Sequence, residues 1–258
     1  MVGNSPLHHL VVQEATPSTN TALSALLDSA PEEWPHISAL ATDHQTAGKG
    51  RAGRSWETPR GAALTVSFAT WPEVSETSLP WVGLVAAQAL VDVCRDVGLE
   101  AAIKWPNDVV VNGAHKSLAG WGKWRKCVGI LTEAHPSGAV IVGVGLNVSQ
   151  DQHELPVPHA TSLLQSGATE INRGTLLGLV AVRLAQRLSA LERDTKAARR
   201  EVMAACVTLG NSVVVTHDDS VVVSGKASRL GQAGELIVTD SRGQEHPVFA
   251  GDVQVRMT

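Results

Sequence analysis

The chain has 258 residues, 43% of them hydrophobic and 18% charged, a balance that suits a globular protein with one large domain and a smaller companion. A formal net charge of −4 argues against a general nucleic-acid binder, which needs a basic face. Cys94, Cys127 and Cys206 are too widely spaced for a disulfide framework, and neither a signal peptide nor a run of apolar residues long enough to span a bilayer is evident, so the expected setting is a reducing cytoplasm with no membrane span.

In chain order, residues 8–14 read as a strand and Pro17-Ser18-Thr19-Asn20 as a turn into a helix. Ser18 or Thr19 is its expected cap, and Ala22, Leu23, Leu26 and Leu27 form its apolar stripe. Strands are expected over 37–42 and 62–70, the second alternating Leu64, Val66 and Phe68 with Ala63, Thr65 and Ser67. A helix follows from Pro80 to Val97, capped by Ser78 and stopped at Gly98. Residues 101–105 and 109–111 read as strands, with a hairpin turn at Asn112-Gly113; 128–134 and 139–144 form a second hairpin through His135-Pro136-Ser137-Gly138. The sheet is therefore expected to be largely antiparallel, against a doubly wound nucleotide fold. One helix is expected from Gly174 to about Ala205, with Leu176, Val180, Leu184 and Leu188 in its stripe. Beyond Leu209-Gly210, short valine-rich strands (213–216, 221–224, 235–239, 246–249, 252–256) separated by Asp218-Asp219, Gly231, Gly234 and Gly243 read as a small β-barrel. The domain boundary falls near 207, giving units 1–206 and 207–258.

The richest stretch is 42–61, where Lys49, Arg51, Arg54 and Arg60 alternate with Gly48, Gly50, Gly53 and Gly61. Glycines let backbone N–H groups turn toward an anion while the cations supply charge. Gly48, Gly50 and Gly53 match a dinucleotide fingerprint, and Gly48–Ser55 matches a phosphate loop with arginine for lysine. Both motifs require a helix directly afterwards. Here Pro59, Gly61 and an alternating strand follow, so the segment is expected to join two strands as a flap that orders over its ligand. A second cationic cluster, Lys116, Lys123, Arg125 and Lys126, favours a small anionic ligand over a polymer. The ten histidines show no metal-binding spacing.

Several motifs in this order resemble biotin–protein ligases: Ser18-Thr19-Asn20, then Gln45-Thr46-Ala47-Gly48-Lys49-Gly50-Arg51-Ala52-Gly53-Arg54-Ser55-Trp56, then Lys104-Trp105-Pro106-Asn107-Asp108. Arg125-Lys126-Cys127-Val128-Gly129-Ile130-Leu131-Thr132-Glu133, Gly143-Val144-Gly145-Leu146-Asn147 and Ala250-Gly251-Asp252-Val253 through Arg256 continue the resemblance along nearly the whole chain. It implies an α+β fold, a catalytic domain like class II aminoacyl-tRNA synthetases with a mixed, largely antiparallel sheet, followed by an SH3-like barrel. With the catalytic pattern starting by residue 18, it resembles the monofunctional form without a DNA-binding domain.

The implied reaction joins biotin to ATP as biotinyl-AMP, then passes the biotinyl group to a lysine of a biotin carboxyl carrier domain. No base is needed in the first half, because a carboxylate is already ionised at neutral pH; the obstacle is bringing two anions together, which positioned cations and Mg²⁺ relieve. The resemblance implies Lys126, Arg51 and Asp108 as catalytic residues. It places biotin on Ser18, Thr19, Asn20, Gln45, Gly48, Lys49, Trp56, Lys126, Gly129 and Gly143. ATP and the adenylate fall to Lys49, Gly50, Arg51, Arg54, Trp56, Asn107, Lys126, Gly145 and Asn147, with Mg²⁺ at Asn107 and Asp108. Lys49 stands where the family more often has arginine. Lys116-Ser117-Leu118-Ala119-Gly120 also resembles the family's lysine motif, about ten residues before Lys126; Lys126 is preferred because the strand of Gly129–Glu133 follows it. Thr161-Ser162-Leu163 matches a loop where some relatives carry a tryptophan over the adenine, which leaves the base without an assigned stacking partner. The alternatives are a lipoate or octanoate ligase or transferase of the same fold, and a vitamin-binding module without catalysis.

Overall fold

A computed structural model describes residues 6–112, 117–217, 220–250 and 253–257. The Gly113 turn position, Lys116, Asp218-Asp219 and Gly251-Asp252 lie outside the described residues. Seven strands, β1 (His9–Gln13), β2 (Ser38–Thr42), β3 (Ala63–Thr70), β4 (Ala101–Lys104), β5 (Asp108–Asn112), β6 (Trp124–Ala134) and β7 (Val140–Asn147), form one sheet in the order β1-β2-β3-β7-β6-β5-β4. Only β1 and β2 pair in parallel, across helix α1 (Thr19–Ser29); the other neighbours are antiparallel. Helices α2 (Trp81–Asp96), α3 (Arg173–Arg193) and α4 (Thr195–Ala205) complete this part. Strands β8 (Ser212–His217), β9 (Ser220–Leu230), β10 (Leu236–Thr239), β11 (Glu245–Val248) and β12 (Val253–Met257) make a second, wholly antiparallel sheet in the order β11-β10-β9-β8-β12.

Paired residues of neighbouring strands share a face, so the register sorts the large sheet. Leu64, Val66 and Phe68 of β3 face the core made with α2 and α3. On the other face Ala69, Leu40 and Ile141 pack against Leu23 and Leu27 of α1. That helix covers only one end of its face, and the end bearing Thr65 and Gly145 stays open as a cavity floor. All eight residues of β3 and of β7 are buried, so the expected polar–apolar alternation does not translate into an exposed edge.

Several local expectations need correction. Ser78 does not cap α2; it lies in a short 3₁₀ turn and its hydroxyl meets Ser75 and Arg199, while Pro80 holds the cap position. Ser18 does cap α1 by position, but its side chain makes no capping bond. The single helix expected to Ala205 is two: Asp194 leaves helical geometry, and its carboxylate accepts from Ala197 N–H to start α4. Asn172 caps α3 likewise, accepting from Thr175 N–H. Among the described residues α3 is the one helix long and apolar enough to cross a membrane, yet its leucine stripe is buried against α2. Residues 113–123 lie between β5 and β6, so Asn112-Gly113 does not make a two-residue hairpin.

The two sheets share one apolar core, which runs from α2 through Val213, Val215, Leu236 and Val255. Two indoles fasten them: Trp81 donates to Gln232 O at 2.7 Å and Trp105 to Gly234 O at 2.9 Å. The buried Lys104 ammonium donates to Val255 O at 2.7 Å.

Candidate active site

The open end of the large sheet floors a cavity of about 1070 Å³, roofed by the 43–62 segment and closed on one side by the second sheet. One row of paired residues crosses its floor: Lys104, Asp108, Gly129, Gly145 and Thr65 stand opposite one another on β4, β5, β6, β7 and β3. With strands about 4.8 Å apart, that row runs roughly 19 Å. The glycines make its centre shallow. A Cβ on Gly129 would lie 2.9 Å from the Trp56 ring, and one on Gly145 would lie 2.6 Å from Trp56 Cζ2. Trp56 therefore rests directly on the sheet backbone, and its Nε1–H is buried without a hydrogen-bond partner among the described residues.

A β-bulge delivers Lys126 to this floor. Val109 pairs with Val128 but Val110 pairs with Lys126, so Cys127 is the extra residue. Lys126 and Gly129 are three apart, and without the bulge they would face opposite sides. With it, Cys127 and Val128 both enter the core while the Lys126 ammonium meets Asp108 Oδ1 at 2.6 Å and lies 5.5 Å from the Trp56 ring centre. The Lys126 backbone is clamped as well, its N–H donating to His159 O and its carbonyl accepting from Thr161 N–H.

At the β3 end of the row, Thr19 N–H donates to Gln45 Oε1 at 2.8 Å, and Ser67 Oγ lies 2.7 Å from Thr19 Oγ and 2.6 Å from Asn20 Oδ1. Ser18 adds a hydroxyl that makes no capping bond. Asn20 spends its amide inside the protein, Nδ2 donating to Leu131 O at 3.2 Å and to Glu133 Oε2 at 2.5 Å. Gly143 lies against that amide, 2.9 Å from Asn20 Cγ by a Cβ built on it. Gly48 does not line the cavity; a Cβ there would come within 2.6 Å of Gln45 Nε2, so its bareness lets the roof pass over the glutamine.

The roof is a small hairpin. Lys49 bridges Ser55, Gly50 N–H donates to Arg54 O, and Ala52 and Gly53 turn with φ of 56° and 68°. Lys49, Gly50, Arg51, Arg54 and Trp56 all line the cavity, and Arg51 donates to Asn107 Oδ1 at 3.3 Å. No helix begins after Ser55. Asn107 is otherwise held by the sheet, Nδ2 donating to Ile130 O, and Asn147 donates to Thr161 O.

The β4 end carries residues that the sequence did not single out. Trp121 and His159 stack with ring centres 4.2 Å apart and planes 14° from parallel, and Lys104 Nζ lies 4.5 Å from the Trp121 ring centre. Arg256 reaches the cavity from β12 and packs near Gly120. Burial, then the nearby Lys126 charge, pushes His159 down to about 4, which leaves its imidazole neutral at pH 7. Burial also lowers Lys104, with Asp108 opposing the shift. Trp121 and His159 lie in loops without helical or strand periodicity; only their aromatic character amid the cationic 116–126 cluster could have marked one of them.

Among the described residues no group of three or more His, Cys, Asp or Glu side chains could hold a metal. Asp108 is engaged by Lys126 and Asn107 Oδ1 by Arg51, so these two fit only a magnesium ion that arrives bound to phosphates.

Residues 12–151 match the Biotin/lipoate A/B protein ligase family. The chain is 32% identical over 250 residues to the biotin–[acetyl-CoA-carboxylase] ligase of Mycobacterium tuberculosis, covering 95% of this chain and 88% of that protein. It is 33% identical over 178 residues to the bifunctional ligase/repressor BirA of Bacillus spizizenii, covering 66% of this chain and 50% of that protein, so it spans about half the length of this relative. The structure resembles biotin protein ligase from Aquifex aeolicus solved in complex with biotin and ATP, with a TM-score of 0.73 and 26% identity over 98% of this chain and 100% of that one.

Proposed function

The chain belongs to the biotin/lipoate A/B protein ligase family, and on that premise we propose that it is an ATP-dependent biotin–protein ligase acting on a biotin carboxyl carrier domain. The observation that carries this reading is the order of chemistry along one cavity floor. Hydrogen-bonding groups stand over β3, cations and bare glycine backbone over β6 and β7, and a ring pair beside β4. A vitamin ring, an acyl phosphate and a purine need those surfaces in that order.

Biotin lies with its ureido ring at Ser18, Thr19 and Gln45 and its carboxylate at Lys126. Arg51, Arg54 and Lys126 draw the α-phosphate to that carboxylate. A carboxylate oxygen forms the new P–O bond as the bond to the β-phosphate breaks, and pyrophosphate leaves with the charge that these cations neutralise. Asn107 and Asp108 would hold a magnesium ion that arrives with the phosphates, and it would supply further charge neutralisation. The adenine stacks on the neutral His159 ring, which Trp121 backs, and Asn147 and Gly145 border the ribose. Trp56 and the roof shield the mixed anhydride from water. A carrier lysine amine then attacks the acyl carbon, AMP departs, and Asp108 is the nearest carboxylate to take the amine proton. We assign the catalytic unit to residues 1–206, related to class II synthetases, and read the second sheet, within 207–258, as an SH3-like barrel.

Biotin is favoured over lipoate because the Thr19–Gln45 pair offers hydrogen-bonding atoms that a dithiolane ring cannot match. The test is mass spectrometry of a carrier domain after incubation with the protein, ATP, Mg²⁺ and either biotin or lipoate. Biotin on one lysine is the expected product. Modification by lipoate alone refutes the assignment.

A further inference from the structure

The structure assigns Gln150, which does not itself line the cavity, as a positioning residue for the nucleotide half of the site: its side-chain amide holds Asn147 in place from behind. This rests on the reading of the cavity as a site for biotin and ATP, and deepens it with a residue outside the motifs that carry the family resemblance.

Asn147 ends β7 on the ligand face, two residues beyond Gly145 and four beyond Gly143. At about 3.3 Å per residue it stands roughly 13 Å along the strand from Gly143, which lies against Asn20 at the other end of the site. Its own surroundings belong to the nucleotide half. Lys126 N–H donates to His159 O, and Thr161 N–H donates to Lys126 O, so the 159–161 loop runs beside Lys126. Asn147 Nδ2 donates to Thr161 O of that loop at 3.0 Å.

The sense of the Asn147 amide follows from this. Thr161 O is a main-chain carbonyl with no proton to give, so the NH₂ group faces it and Oδ1 faces the other way. There Gln150 Nε2 donates to Oδ1 at 2.9 Å. No hydroxyl takes part, so neither bond can run in reverse. The setting is dry: Gln150 is 1% exposed, Asn147 5% and Thr161 0%. Without the glutamine, Oδ1 would face the interior with no donor, and the amide would turn toward the cavity to find one. With it, Asn147 is held at both ends. The second proton of Nδ2 meets no acceptor among the described residues and is kept for the nucleotide.

Gln150 gives up half of its own hydrogen-bonding capacity to do this. Its Oε1 is buried with no partner among the described residues, a loss that an apolar side chain of the same length would avoid. Donation to Asn147 is what the amide adds over simple packing. The Gln150 main-chain carbonyl also accepts from Ser162 Oγ at 2.8 Å, which ties the same residue to the loop that carries His159.

The test is a double-mutant cycle on the full chain, read as the KM for ATP and the KM for biotin in biotin-dependent pyrophosphate release. Gln150→Met keeps the length of the side chain and removes the donor. It is expected to raise the KM for ATP by roughly tenfold, the loss of one buried hydrogen bond, and to leave the KM for biotin within about twofold. Asn147→Ala should raise the KM for ATP at least as far, and adding Gln150→Met to it should raise it no further, because Gln150 acts through Asn147. Effects that multiply in the double variant, an unchanged KM for ATP in Gln150→Met, or equal rises for both substrates each overturn the assignment. Should a thermal melt show that Gln150→Met does not fold, the cycle is run with Gln150→Glu, whose carboxylate offers an acceptor where Asn147 needs a donor, and the same outcomes decide. Failure of the unmutated protein to release pyrophosphate with biotin overturns the ligase reading itself, and this assignment with it.

Discussion

Gly145→Ala should impair function while leaving the fold intact, and the structure says by how much. Gly145 pairs with both Gly129 and Thr65 in the middle of the sheet, with a backbone that any residue can adopt. An alanine there carries no strand penalty and gains about 0.4–1 kcal/mol by restricting the unfolded chain. Its methyl, however, would sit 2.6 Å from Trp56 Cζ2 and 2.7 Å from Trp56 Nε1, where ordinary contact begins near 3.4 Å. Indole Cε2 would lie closer still, so the indole, and any ligand on the same floor, must retreat by about 1 Å. Misplacement near 1 Å of a reacting group costs on the order of 10²-fold in rate.

Biotin-dependent pyrophosphate release would measure the rate, and a thermal melt the fold. The expected result is a loss near 10²-fold with a melting temperature within about 3 °C of the unmutated protein. Full activity in Gly145→Ala would show that the glycine row does not carry the ligand. A collapse of the melt would show that the glycine serves the sheet instead, and either outcome refutes the reasoning.

Lys126→Ala should lower pyrophosphate release by about 10²–10³, the usual cost of one positioned donor in a water-poor site, whereas Lys116→Ala should leave it near the unmutated rate. The reverse pattern would transfer the role to Lys116. Trp121→Ala should raise the KM for ATP by roughly tenfold with the KM for biotin unchanged, and Trp121→Phe should restore it; equal effects on both substrates would count against base stacking. His159, held at about 4 in the fold against an ordinary 6.5, binds fewer protons folded than unfolded between those values. Its contribution to stability is complete above pH 6.5 and drains away as pH falls toward 4. Because the ring is only half-buried, solvent screening limits that contribution to the order of 1 kcal/mol. Chemical denaturation from pH 7 to pH 4 should show His159→Gln losing less stability than the unmutated protein, and identical slopes would refute it.

The roof shows where sequence was informative and why. Its glycines and cations demanded a chain that bends around an anion, and the Pro59 and Gly61 that follow excluded a helix, so a strand-joining loop was the remaining solution. What the sequence could not show was that the roof is a hairpin turning at Ala52, because φ of 56° is a conformation that alanine rarely adopts and no pattern announces. Asn20 shows a related limit. Its place in a motif suggests ligand contact and it does line the cavity, but the sequence does not show that its amide also meets Leu131, Glu133 and Ser67, all three reached only through tertiary pairing.

The same limit explains Lys126. Counting by two from Gly129 places Cys127, not Lys126, on the ligand face, and a reader of strand periodicity would bury the lysine. Only the doubled register opposite Val109 and Val110 reverses this. The bulge puts two consecutive apolar residues, Cys127 and Val128, into the core, where each supplies buried area that anchors the strand, and the lysine is turned to Asp108 as the geometric consequence. The position of the charge that the chemistry needs is thus held by the hydrophobic residues behind it. Deleting Cys127 would remove the bulge yet leave Lys126 two residues from Gly129 and opposite Val110, so pyrophosphate release should stay well above that of Lys126→Ala. A deletion as inactive as Lys126→Ala would show that the bulge itself, and not the pairing of Lys126 with Val110, places the lysine.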